Sequence, residues 1–168
     1  MADPFFSLSA ADRLEALLNA GETLGRAPFY LEKDVWVVWA LSTLYGSTIG
    51  GHVAFKGGTS LSKAFHIIER FSEDIDITYD VRQLIPELIG EHREGLPLTR
   101  SQADKWSRNV KKRLPIWIVE VVKPIFDRAL ITEGLPGNAS VEEEKLVIHY
   151  EPVTPGVCHE KRWALLNI

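Results

Sequence analysis

The sequence predicts a helix-rich α/β (α+β) domain with a small mixed sheet flanked by helices. Apolar residues that recur every three or four positions predict helices within residues 9–45 and 100–131. Short apolar or alternating segments predict strands in a core motif at 53–80 and in a terminal strand region at 145–168. Because 168 residues is the length of one domain, we expect residues 1–168 to fold as a single unit.

The composition excludes several classes of protein. The chain is 45% hydrophobic and 25% charged, with a net charge of −4, so a nucleic-acid contact would need a local basic patch. Its single cysteine excludes an internal disulfide. The N-terminus lacks the basic start and apolar run of a signal peptide, and the apolar run at residues 35–41 is too short to span a bilayer. We therefore expect a cytoplasmic protein without a membrane segment.

Two helices are predicted before the core motif. The Ser-Ala-Ala-Asp segment at residues 9–12 is expected to open the first helix, and Gly21, Gly25 and Pro28 are expected to break it. The second helix is predicted at about residues 31–45 and ends at Gly46. Because apolar residues surround much of its circumference, we expect this helix to be buried.

The core motif contains a strand, a glycine turn, a helix and a second strand. Residues 53–55 form a short apolar run that predicts a buried strand, followed by the Gly-Gly-Thr-Ser turn at residues 57–60. The next residues have helical spacing. From residue 71 the period changes to two, so that Asp74 and Asp76 alternate with isoleucines, as in a strand with one packed face.

The second half of the chain is predicted to be mostly helical and to end in strands. Residues 84–97 contain prolines and glycines and are predicted to be partly loop. Helices at 101–114 and 116–130 follow, interrupted by prolines, and a turn-rich linker is predicted at 134–138. Residues 146–150 are predicted to form a strand.

The glycine turn and the two aspartates together predict a nucleotide and metal site. Residues two apart on a strand point to the same face, about 6.5–7 Å apart at Cα, so Asp74 and Asp76 converge. Mg²⁺ (or Mn²⁺) prefers carboxylate and phosphate oxygens. The glycines let the backbone approach a triphosphate, and the following hydroxyl groups and helix N-terminus donate to it. The predicted nucleotide-binding residues are Gly57, Gly58, Thr59, Ser60 and Lys63.

This constellation resembles the signature of the AbiEii/AbiGii toxin family, within the polymerase-β-like nucleotidyltransferase superfamily. Residues 55–64 and 70–77 carry the resemblance, and residues 32–36 resemble a Glu-Lys-Asp-aromatic helix of that family. The middle helices at 101–124 are also similar to those of the family. The resemblance covers roughly residues 25–152.

The resemblance implies a nucleotidyltransferase core that uses magnesium and a nucleoside triphosphate (NTP). Characterised members of the family act as toxins of type IV toxin–antitoxin or phage-defence systems, and some modify tRNA acceptor ends. The resemblance assigns triphosphate contacts to Gly58 and Ser60, and magnesium ligation and catalysis to Asp74 and Asp76. It further implies an antitoxin protein and an RNA acceptor as partners.

The chain departs from the family pattern in two ways. Nucleotidyltransferases of this fold normally add a third carboxylate from a neighbouring strand, but the strand expected at residues 162–168 contains no acid. Glu151 and Glu160 lie beside a proline and in a loop. Family members are also longer, so the chain resembles a member shortened near residue 153. Two alternatives therefore stay open: a nucleotide-binding remnant without turnover, and a non-enzymatic antitoxin-binding or regulatory module.

Two other charged groups have structural interpretations. Glu32, Lys33 and Asp34 are predicted to form a structural ion-pair set rather than a catalytic group. The only basic cluster of the sequence lies at residues 105–113, where three cations share a helical face. Contact with RNA is one interpretation of this cluster. The acidic net charge favours the other, a solvated helix face.

Overall fold

The computed structural model describes residues 4–57, 75–89, 96–155 and 163–164, and its helices and strands confirm the predicted helix-rich α/β class. The helices are α1 Ala10–Leu24, α2 Pro28–Tyr45, α3 Val81–Leu84, α4 Pro86–Ile89, α5 Arg100–Trp117 and α6 Lys123–Glu133. The strands are β1 Val53–Lys56, β2 Asp76–Tyr79, β3 Gly137–Glu142, β4 Lys145–Tyr150 and β5 Trp163–Ala164. Short 3₁₀ helices occur at Pro4–Ser7 and Gly50–His52, and a π-helix occurs at Ile118–Val122.

The ends of α1 follow the prediction, but its interior does not. The Ser9 hydroxyl accepts a hydrogen bond from the backbone N–H of Asp12, and Gly25 ends the helix with a positive φ of 63°. Gly21, predicted to break the helix, lies inside it. A Cβ at Gly21 would lie 2.8 Å from the carbonyl oxygen of Arg26, so this glycine allows close packing of the following turn.

Helix α2 is buried on one side, where two tryptophans anchor it in the core, but not around its circumference as predicted, since Val38 is 49% exposed. It begins at Pro28, three residues before the predicted start, because a proline fits the first turn of a helix without losing a hydrogen bond. Trp36 stacks on Tyr150 with ring centroids 4.6 Å apart and contacts Phe6 edge-on at 4.9 Å. Trp39 is also buried.

Glu32 connects α2 to the segment that follows β4. Its side chain is only 3% exposed. The carboxylate accepts hydrogen bonds from the backbone N–H of Val153 at 2.7 Å, from that of Thr154 at 3.1 Å, and from the Thr154 hydroxyl. The predicted structural role of Glu32 is thus confirmed, but its described partners are amide and hydroxyl donors rather than the ammonium group of Lys33.

The first sheet consists of β1 and β2, which pair antiparallel in the register Val53↔Tyr79 to Lys56↔Asp76. Ile75 and Ile77 are fully buried, so the predicted alternation between core and solvent along this strand is confirmed. The register places the first residue of β2 opposite the last residue of β1.

Two short helices, α3 and α4, occupy part of the region predicted as loop. Asp80 begins α3 by accepting a hydrogen bond from the backbone N–H of Arg82 at 3.0 Å, and Pro86 begins α4. Helices of four residues contain one turn each, so no apolar period can indicate them.

The helical region from Arg100 to Glu133 continues through Pro115 without a break and becomes a π-helix before Pro124. Pro115 lies inside α5, and the predicted interruption there is wrong. After α5 the backbone widens into the π-helix, in which the N–H of Lys123 donates to the carbonyl of Ile118. Pro124 then lies in the first turn of α6, where proline is tolerated.

The second sheet has the order β3-β4-β5, and both of its described pairings are antiparallel. Strand β3 begins inside the predicted linker and was missed, because its Asn, Ala and Ser residues have low strand propensity. A tight turn with Glu143 at φ 56° joins β3 to β4. Strand β5 lies where a terminal strand was expected, and neither of its residues is an acid.

One cluster of buried apolar side chains connects these elements. It contains Trp36 and Leu44 of α2, Ile77 of β2, Phe126 of α6 and Ile148 of β4. In the described ranges, no helix is both long and apolar enough to cross a membrane.

We expect Glu32→Gln to lower the free energy of unfolding by about 1–3 kcal/mol, because an amide NH₂ would face N–H donors and leave one of them unsatisfied. Urea titration followed by tryptophan fluorescence measures this change. Glu120→Gln, at an exposed position, is the matched control and should stay within about 0.5 kcal/mol of the wild type. Equal stability of the two variants would contradict the role of Glu32.

We expect Asp80→Ala to cost about 1 kcal/mol at neutral pH, because it removes the cap of α3. The Arg82 guanidinium hydrogen-bonds the Asp80 carboxyl and holds its pKa below the ordinary value of 3.8. Since the folded pKa is the lower one, the carboxylate stabilises the fold fully above about pH 4 and loses this effect as the pH falls through the folded value. The stability gap between variant and wild type should therefore shrink in acid; a gap independent of pH would be evidence against this account.

Candidate nucleotide and metal site

Two of the predicted site residues, Gly57 and Asp76, belong to the described part of the chain. The other predicted residues lie outside the described residues: Gly58, Thr59, Ser60, Lys63 and Asp74. The described part of the site is therefore the contact between the end of β1 and the beginning of β2.

Gly57 and Asp76 are packed directly against each other. A Cβ built on Gly57 would overlap the Oδ2 atom of Asp76 and would lie 2.8 Å from its Cγ. The backbone at Gly57 also has a φ of 76°, in the left-handed region that favours glycine. The carboxylate of Asp76 thus occupies the space that any side chain at position 57 would fill.

The antiparallel register explains this contact. Because Lys56 pairs with Asp76, the next residue along the chain turns over the beginning of β2. The buried isoleucines on either side of Asp76 fix the face of the strand that the carboxylate occupies. Lys56, directly opposite, is exposed and places a cation near the same edge of the sheet.

The Asp76 carboxylate is half-buried and lies against the backbone of Gly57. A carboxylate held in place by packing offers oxygen ligands to Mg²⁺ or Mn²⁺. Asp76, the described member of the predicted aspartate pair, fits the role of one ligand of such a metal. Elsewhere in the described ranges, no group of three or more His, Cys, Asp or Glu side chains converges, so the third carboxylate is not identified among them.

The opposite end of β2 has a structural role. Burial raises the pKa of the Tyr79 phenol above its ordinary value, and the negative charge of Glu144 raises it further. The ring centroids of Tyr79 and Trp117 are 5.8 Å apart, and this contact joins β2 to α5. Tyr79 is three residues from Asp76, roughly 10 Å along the strand. Its neutral ring therefore supports the strand from the end remote from the site.

A cavity of about 620 Å³ lies between α2 and α6. The indole N–H of Trp39 donates a hydrogen bond of 2.9 Å to the Glu133 carboxylate at its wall. A shallower depression of about 530 Å³ lies beside the beginning of β3 and the end of β4. The described lining of both includes none of the predicted site residues, so the candidate site is at the edge of the first sheet rather than in these cavities.

The sequence assigned Gly57 to the approach of a triphosphate and did not indicate its contact with Asp76. The available signal was the position of this glycine, immediately after a strand and 19 residues before the aspartate. The contact itself follows from the antiparallel register of β1 and β2, which the sequence does not reveal.

The profile of one protein family, described as the nucleotidyl transferase AbiEii toxin of type IV toxin–antitoxin systems, matches residues 39–161. The chain belongs to this AbiEii family. The predicted resemblance is thereby confirmed, and the match includes the glycine turn and both aspartates. The Glu-Lys-Asp segment at residues 32–34 precedes the matched range. Comparisons of this AbiEii chain with curated proteins and with solved structures found no match.

We expect Gly57→Ala to be more destabilising than Gly25→Ala, which is a matched control at a similar φ of 63° with no atom near its Cβ position. Both alanines introduce backbone strain of about 1 kcal/mol, but only the one at position 57 also displaces the Asp76 carboxylate. Chemical denaturation should show an additional loss of at least about 1 kcal/mol at position 57.

A double-mutant cycle identifies the source of this loss. Combining Gly57→Ala with Asp76→Ala should recover about 0.5–3 kcal/mol, because the overlapping atoms are gone while the strain remains. Equal costs of alanine at positions 57 and 25, or strict additivity in the cycle, would show that the Asp76 contact does not constrain Gly57.

Proposed function

We propose that this chain transfers a nucleoside monophosphate from an Mg–NTP complex to an acceptor hydroxyl, with tRNA or another RNA as the acceptor. We further propose that it does so in the cytoplasm, as the toxin of a type IV toxin–antitoxin pair that serves phage defence. Family membership supports the class of reaction and the antitoxin partner. The observation that carries the proposal is the Asp76 carboxylate, held at the glycine turn by the absence of a side chain at Gly57.

In the proposed reaction, the acceptor oxygen bonds to the α-phosphorus as the bond to the β-phosphate oxygen breaks. Pyrophosphate leaves, and the acceptor proton passes to solvent. Bound Mg²⁺ (or Mn²⁺) would neutralise the charge that develops on the phosphate oxygens. Most of the rate enhancement in such a transfer comes from positioning and electrostatic stabilisation, which is what a carboxylate fixed by packing provides.

The residues of the chain have separate tasks in this proposal. Asp76, together with Asp74, would hold the metal. Gly58 and Ser60 would contact the triphosphate, with Thr59 shaping the turn and Lys63 adding positive charge. Gly57 would position the Asp76 carboxylate and let the backbone approach the triphosphate.

Titration calorimetry with Mg–ATP, Mg–GTP and Mg–CTP, followed by incubation of labelled NTPs with total tRNA, tests the proposal. Asp76→Asn should reduce transfer by at least about 100-fold, because it removes a charged metal ligand while keeping the shape of the side chain. Asp127→Asn, which changes a carboxylate paired with Lys123 on α6, is the matched control and should retain activity.

The alternatives predict different results in the same two assays. Binding without transfer in the wild type would favour a nucleotide-binding remnant, an alternative kept because the described residues contain no convergent third carboxylate. No binding of any NTP would favour a non-enzymatic antitoxin-binding or regulatory module. Transfer that survives Asp76→Asn unchanged would refute the assignment of the site.

A further inference from the structure

Helix α5 has a charge that is opposite in sign to that of the chain. Its 18 residues include six basic side chains and one acidic side chain, a net charge of +5 in a chain whose net charge is −4. The face that contains Trp106 and Leu114 is buried in the core. The basic side chains therefore concentrate on the side of the helix that is turned away from the core.

Four of these cations form one continuous surface, which we name the α5 basic face: Lys105, Arg108, Lys111 and Lys112. All four are exposed. At 3.6 residues per turn they fall within an arc of about 120°, roughly opposite the buried face. With a rise of 1.5 Å per residue, the first and last of them are about 10 Å apart along the axis.

These charges are not neutralised by neighbouring side chains. Within the described residues, none of the four makes an ion pair. Arg113, on another side of the helix, shows the contrast: it forms a salt bridge of 2.7 Å with Glu87 and donates to the carbonyl of Leu84 at 2.8 Å. Asp104, one turn before Arg108, is the single acid of the helix.

The spacing also differs from that of an ordinary solvated helix face. Such a face usually alternates acids and bases four residues apart, and each such pair stabilises the helix, whereas this side of α5 has one such spacing, between Asp104 and Arg108. Arg108 and Lys112 are instead like charges four residues apart, which repel each other. An anionic partner would relieve this repulsion, so the arrangement is better suited to binding than to stability.

The α5 basic face is firmly attached to the strand that contains Asp76. Arg113 joins α5 to the end of α3, and the contact between Trp117 and Tyr79 joins it to the end of β2. A ligand held on this helix would therefore keep a fixed relation to the first sheet. Its axial length of about 10 Å corresponds to the rise of about three nucleotides along the axis of a duplex, at 3.4 Å each.

We propose that the α5 basic face binds the phosphate backbone of the nucleic acid that supplies the acceptor hydroxyl. The contact with a phosphate backbone follows from the charge and exposure of the helix, whereas the role of that nucleic acid as acceptor rests on the proposed transferase function. This inference replaces the solvated-face interpretation that the net charge of the sequence favoured.

Fluorescence anisotropy with a labelled RNA hairpin, and with a DNA hairpin of the same sequence, tests the proposal in the absence of NTP. The variant Arg108→Gln/Lys111→Gln/Lys112→Gln should bind RNA at least about tenfold more weakly than the wild type at low salt. The slope of log affinity against log salt should become shallower by about 2–3, since each of the three lost phosphate contacts removes about 0.7 for a single strand and about 0.9 for a duplex.

The matched control is Arg26→Gln/Arg128→Gln/Lys145→Gln, which removes the same charge from other parts of the surface. It should bind within about twofold of the wild type, and thermal melts should show that both triple variants remain folded. Similar losses in the two triple variants, or no binding of either hairpin by the wild type, would overturn the proposal. If the wild type binds neither hairpin, an acidic protein surface would be the expected partner of this helix.

Two comparisons separate this proposal from the proposed reaction. Asp76→Asn should abolish transfer but leave hairpin binding unchanged, because binding is measured without NTP. If Asp76→Asn keeps full transfer activity while the α5 variant loses binding, the reaction site is wrong and the α5 assignment stands. Tighter binding of RNA than of DNA would support an RNA acceptor, and equal binding would support a contact with the backbone alone.

Discussion

The candidate site depends on one steric constraint, the absence of a side chain at Gly57. The Asp76 carboxylate occupies the volume that a Cβ would take, and the positive φ at the same residue lets the chain turn over the beginning of β2. Both features follow from a single antiparallel register in which Lys56 pairs with Asp76. A shift of one residue would turn the carboxylate toward the core and expose the isoleucines, which is why the register is strongly specified.

The rest of the fold keeps this short sheet in place. Two strands of four residues are not stable alone, so β1 and β2 rely on packing against the helices around them. Trp117 supports the far end of β2, and the core cluster joins it to α2 and α6. Glu32 of α2 accepts buried hydrogen bonds from the segment after β4, and these bonds connect the second sheet to the same helices. The α5 basic face is part of the same packed structure, so a bound polyanion and the site would share one rigid support.

The sequence predicted the helices and strands that are long enough to show a repeating apolar pattern. It missed elements whose formation depends on a capping residue or on a pairing partner. The helical period indicated α1, α2 and α5, and the alternation around Asp76 indicated β2. The four-residue helix after Asp80 and strand β3 were missed, because a cap and a pairing partner form them rather than an apolar pattern. For the site, the motif predicted that Gly57 and Asp76 lie near a nucleotide, but it could not predict their mutual contact, which depends on the register of β1 and β2. Likewise, charge counting could not show that Arg113 pairs with Glu87 while the four cations of the α5 basic face have no ion pair among the described residues.

The central claim is that the carboxylate beside Gly57 holds the metal of an NTP complex. The most direct test is a crystal structure with Mn²⁺ and a non-hydrolysable NTP, in which anomalous scattering locates the metal independently of the protein. The account predicts an anomalous peak coordinated by the Asp76 carboxylate and by phosphate oxygens of the nucleotide at the glycine turn. A nucleotide and metal bound elsewhere, such as in the cavity between α2 and α6, with Asp76 uncoordinated, would contradict it.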